Sequence, residues 1–66
     1  MSELEHARII ARRRWGSATP FRLGSLAGQG IVRLANPYPT GTRGWVYFAD
    51  GHSSGRRLGA RERHDA

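Results

Sequence analysis

Apolar positions in the first fifteen residues recur at helical spacing. Turned by about 100° per residue, Leu4, Ala7, Ile10, Ala11 and Trp15 fall within one arc of about 140°, with Ile9 alone off the stripe. Ser2 followed three residues later by Glu5 forms a capping-box pattern, in which each residue satisfies an amide of the other's turn. Glu3 and Glu5 lie in the first turn and Arg12, Arg13 and Arg14 in the last, the favourable sign for the helix dipole at each end. Gly16 follows where a left-handed residue ends many helices. These signals predict an amphipathic helix over 3–15.

Beyond a linker at Ser17–Pro20 the pattern reads as short strands. Phe21-Arg22-Leu23 predicts a short strand, and the glycine-punctuated stretch from Gly24 to Gly30 a loop or weakened edge. A strand is expected at 31–36, and Asn36 to Gly44 is a long loop rich in turn formers. Trp45-Val46-Tyr47-Phe48-Ala49 is the densest run of β-favouring side chains, and Asp50-Gly51 then supplies a hairpin turn. Residues 56–58 would pair back as an edge strand. The predicted fold is α+β, an N-terminal helix packed on a three- or four-stranded antiparallel sheet, with SH3-like or partial OB-like small barrels as the nearest architectures. The folded domain is expected over 1–59 and a flexible tail over 60–66, where an apolar anchor is lacking.

Strand parity generates the candidate site. With Val46 and Phe48 turned towards the helix beside Val32 and Leu34, Trp45, Tyr47 and Arg33 share the opposite face. Two aromatics beside an arginine would form a stacking platform for nucleic-acid bases, worth roughly 1–3 kcal/mol per stacked base. The alternative is that Trp45 belongs to the core. The series Gly30-Ile31-Val32-Arg33, Asn36, Arg43-Gly44-Trp45-Val46-Tyr47-Phe48 and Asp50-Gly51 resembles the cold-shock domain over roughly a third of the chain. In that family the strand aromatics stack single-stranded nucleic acid, a role the resemblance implies for Trp45 and Tyr47. The chain departs from the family in its leading helix, in two prolines within the connecting loop, and in the fifteen residues that follow Gly51, where the family has further strands. Tyr38 and Arg43, in the long loop, would form a second contact surface, the alternative being that the loop only bridges two strands, and the Tyr38–Pro39 bond is a candidate for the cis isomer.

Composition narrows the function classes. The chain has 66 residues and a formal charge of +6, and all eleven of its cations are arginine. Arginine chelates phosphate and stacks on bases, so the charge points to a polyanion. Ala, Gly, Arg and Pro make up 31 of the 66 residues, the skew that a G+C-rich genome imposes, which indicates a bacterial, phage or plasmid source. Leu, Ile, Val and Phe supply only 12 residues, so the fold is expected to be marginal and helped by a partner or by self-association. The absence of cysteine excludes disulfides and thiolate metal sites, and the absence of lysine excludes a Walker A loop. His6, His52 and His64 are too dispersed for a metal site, Asp50 with His52 being a two-ligand fragment, and no cofactor is expected. His52, Ser53 and Ser54 are neighbours in sequence that do not converge on one point, and so small a chain leaves little room for a catalytic cleft. Neither a leader's apolar segment nor a membrane span is present, so a cytoplasmic protein is expected.

The expectation is therefore a small non-enzymatic binding module. In the leading reading Arg12, Arg13, Arg14, Arg33 and Arg43 meet phosphates without sequence preference, and Trp45 and Tyr47 stack bases, in a regulatory role. In the alternative, the aromatic face or the loop around Tyr38 binds a larger acidic protein as adaptor or inhibitor.

Overall fold

The protein is all-helical. The computed structural model describes the backbone of residues 1–65 and the side chains of residues 1–61. Its elements are α1 (Glu3–Trp15), α2 (Pro20–Gln29) and α3 (Arg43–Asp65), with an irregular segment at 30–42 between the last two. α2 lies between the other two helices and makes most of its contact with α3. At about 1.5 Å per residue, the 23 residues of α3 account for the 35 Å long axis of the molecule.

α1 forms as its sequence predicts. The Ser2 hydroxyl accepts from the Glu5 amide at 3.1 Å, and Gly16 closes the helix at φ 83° with its amide on the Arg12 carbonyl. Ala7 and Ala11 are fully buried, with Leu4, Ile10 and Trp15 packed around the core beside them. The small side chains at the centre of the stripe bring this helix close to Leu23 and Leu26, the largest fully buried residues.

The expected sheet is absent from the described residues, and the α+β reading is overturned. The segment 21–23, expected as a strand, is the first turn of α2. Thr19 caps that helix by accepting from the Arg22 amide at 3.3 Å, Pro20 occupies its first turn, and Gly30 ends it at φ 81°. The segment 31–36 has neither strand pairing nor helix; Val32 is buried and Leu34 half-buried as the chain runs back along the bundle. The segments 45–49 and 56–58, expected as strands, both lie within α3, and Asp50-Gly51 is mid-helix rather than a hairpin turn. Neither an SH3-like nor an OB-like barrel exists here. α3 also continues through most of 60–66 to Asp65, and Ala66 lies outside the described residues.

The physical reason is the glycine pattern. Gly24 and Gly28 on α2, and Gly51 and Gly55 on α3, stand four residues apart, one turn of helix, and form a seam where the two backbones touch. A Cβ on Gly24 would overlap the Phe48 carbonyl oxygen, one on Gly28 that of His52, one on Gly51 that of Phe21, and one on Gly55 that of Ser25. Partners on both helices advance together by four, so α2 and α3 run in the same direction. Small residues at this spacing let helices approach more closely than larger side chains permit. Carbonyl oxygens set against glycine Cα hydrogens can add weak bonds of about 0.5–1 kcal/mol each. That gain offsets a helix-interior cost of about 1 kcal/mol per glycine relative to alanine.

The connecting segment is pinned to the start of α3. Thr42 caps α3: its hydroxyl accepts from the Trp45 amide at 3.2 Å and donates to the Pro39 carbonyl at 2.7 Å. Asn36 donates through Nδ2 to the Trp45 carbonyl at 3.0 Å and accepts from the Tyr38 amide at 3.1 Å. The Tyr38 ring packs over Gly44, where a Cβ would come within 2.7 Å of Cδ1, and tilts at 57° against Phe48 with centroids 6.4 Å apart. The Tyr38–Pro39 bond is trans, contrary to the cis candidate. No helix among the described residues is long and apolar enough to cross a membrane.

Candidate functional site

The aromatic platform predicted from strand parity is not formed. In a helix, residues two apart point about 200° from one another, so Trp45 and Tyr47 leave α3 on different sides. Trp45 is half-buried beside the connecting segment, whereas Tyr47 is 51% exposed. The parity argument also misplaces their neighbours: Phe48 is core at 2% exposure, but Val46, expected beneath the helix with it, is 44% exposed. Tyr38, expected on a loop contact surface, is half-buried and serves to pack Gly44 and Phe48.

The predicted cations are exposed and lie on different elements. Arg12, Arg13 and Arg14 occupy the last turn of α1, Arg43 the first turn of α3, and Arg33 the connecting segment. The Arg33 amide donates to Glu3 Oε2 at 3.3 Å, which places it by the opposite end of α1 from Arg12, about 13 Å away along the helix. Arg14 is partly committed, its guanidinium carbon lying 5.1 Å from the Trp15 ring centroid. Arg22 approaches the same ring at 5.9 Å, donates to the Trp15 carbonyl at 3.2 Å and also donates to the Ser17 hydroxyl. Trp15 is thus held by cation–π contact with Arg14 and Arg22, and Arg22 joins α1 to α2.

Two cationic pairs were not singled out from the sequence. Arg8 lies one turn before Arg12 on α1, and Arg57 one turn before Arg61 on α3; all four are exposed. Residues four apart on a helix have Cβ atoms about 5–6 Å apart, so each pair sets two positive charges side by side at a cost of about 0.2–0.5 kcal/mol. The spacing was legible on α1. On α3 it carries no meaning until the segment is known to be helical.

The second feature is a groove between the connecting segment and α3. A cavity of about 350 Å³, open to solvent, is lined by Leu34, Ala35, Asn36, Trp45, Phe48, Ala49, His52 and Ser53. It meets a second depression of about 350 Å³ bounded by Ser53, Arg56, Arg57 and Ala60, the two sharing Ser53. Asp50 is half a turn or more from His52 around α3, so the two-ligand fragment considered for a metal is dissolved. No cluster of three or more metal-ligating side chains occurs among the described residues. No family model, curated protein or solved structure matches this chain.

Proposed function

We propose that the protein is a small, non-enzymatic binding module that holds nucleic acid through its phosphates, without base stacking, in a cytoplasmic regulatory role. The carrying observation is the pair of exposed arginine ladders, Arg8/Arg12 on α1 and Arg57/Arg61 on α3. Each ladder weakens its own helix by like-charge repulsion, and a phosphate between the guanidinium groups turns that repulsion into two charge-assisted contacts. Duplex nucleic acid presents a negative charge about every 1.7 Å of its axis, so it can meet more than one such pair at once. A formal charge of +6 on 66 residues supplies the long-range attraction. Arg13 and Arg43 add exposed cations, while Trp45 has no role in this contact.

The test is a titration of the full chain with duplex and single-stranded oligonucleotides at low and high salt. Binding should weaken linearly in log–log form as salt rises, by about 0.9 per phosphate neutralised on duplex, with no sequence preference. The variant Arg8→Gln/Arg12→Gln should bind more weakly with a shallower slope. Absence of binding at low salt, or an unchanged slope in that variant, refutes the proposal.

A further inference from the structure

We propose that the groove between residues 34–36 and α3 is a docking site for an acidic peptide segment carrying a large apolar side chain, separate from the Arg8/Arg12 ladder and meeting the α3 ladder at Arg57. Most of its lining is apolar: Leu34, Ala35, Trp45, Phe48 and Ala49. His52 and Ser53 mark the point where the channel continues past Arg56 and Arg57 to Ala60. From Trp45 to Ala60 the α3 wall extends about 22 Å, room for a peptide of about six or seven extended residues.

Charge complementarity selects the occupant. Among the described residues no carboxylate lines either depression, and the guanidinium groups, Arg56 and Arg57, stand at one end. A ligand with an apolar anchor over Leu34 and Ala49 and a carboxylate between one and two turns of α3 further on would meet the imidazole of His52 and the guanidinium of Arg56. The aliphatic floor favours an aliphatic or aromatic side chain over a nucleotide, because the aromatic faces that bases require are taken up: Phe48 is buried and Trp45 half-buried. Asn36 is already engaged with Trp45 and Tyr38, so it fixes the wall of the groove rather than reading a ligand.

The probe is a short synthetic peptide of interspersed Glu and Leu, added to the full chain in a Trp15→Phe background so that fluorescence reports Trp45 alone. The peptide should change the Trp45 signal. Replacing its Leu by Ser, or reversing its Glu to Lys, should weaken binding by about tenfold or more, the loss expected for one apolar anchor or one desolvated charge pair. Ala49→Glu, which fills the groove with the wrong charge, should abolish the response, and Arg56→Gln, at an exposed position, should weaken it. Backbone amide shifts of the unsubstituted chain provide a readout that does not depend on any variant folding, and should cluster at 34–36, 49, 52, 53 and 56. No binding, equal binding of the Ser-substituted peptide, or shifts clustered elsewhere overturns the proposal.

Discussion

Replacing Gly51 by alanine should destabilise the protein, although the substitution favours a helix in isolation. In a helix interior alanine is better than glycine by about 1 kcal/mol. Against this stands the backbone of α2: the added Cβ would overlap the Phe21 carbonyl oxygen and lie 2.8 Å from its carbon and 3.0 Å from Phe21 Cα. None of these is a side chain that can rotate away, so the helices must separate. Overpacking of this kind costs about 1–3 kcal/mol, and the displacement also loosens contact at Gly24, Gly28 and Gly55, which places the cost at the upper end. After the propensity gain the net loss is about 2 kcal/mol. For a domain of this size that lowers Tm by about 8–16 °C. Thermal and urea unfolding followed by far-UV circular dichroism measures it, with Ser53→Ala as the comparison. Ser53 is exposed on the same helix, and its substitution should be neutral or stabilising by up to about 0.5 kcal/mol. A Gly51→Ala variant with raised Tm would show that the two backbones do not meet at this point, and the account of the fold would fail with it.

Three further outcomes follow from particular contacts. Phe48→Ala should cost about 3–5 kcal/mol, while Val46→Ser stays within about 0.5 kcal/mol in urea denaturation; similar large losses at both would restore the strand parity that the helix abolishes. Asn36→Ala leaves the Tyr38 amide without its partner and removes the second bond to the Trp45 carbonyl, and should lower stability by about 1–2 kcal/mol, read from the urea midpoint, with no change if the connecting segment is not pinned to α3. Thr42→Ala should cost about 1 kcal/mol through loss of the α3 cap, and Thr42→Ser should recover most of it; equal stability of all three would remove Thr42 from that role.

How legible the protein was differs by element. α1 could be read whole, because everything that makes it is local: the Ser2 cap, the Glu5 reply, the stripe of Ala7 and Ala11, and the left-handed Gly16. The start of α2 was legible too, in Thr19-Pro20 and in Gly30 ten residues past Pro20, but the glycines between them obscured it. The exposed Arg12, Arg13 and Arg14 follow from the wheel of α1, whereas the Arg57/Arg61 ladder and the groove along Trp45, Ala49 and His52 presuppose a helical α3.

The sequence by itself determined the charge, the lack of cysteine and lysine, and the one helix whose stabilising contacts lie within a few residues. Only the tertiary structure decided between strand and helix for 45–49. There the side chains of Trp45, Val46, Tyr47 and Phe48 favour a strand, and Gly44, Gly51 and Gly55 count against a helix taken alone. Their deciding energy lies in a backbone-to-backbone contact with Phe21, Gly24, Ser25 and Gly28. A missing side chain has value only when another helix occupies the space it leaves, and no periodicity within one segment can report that.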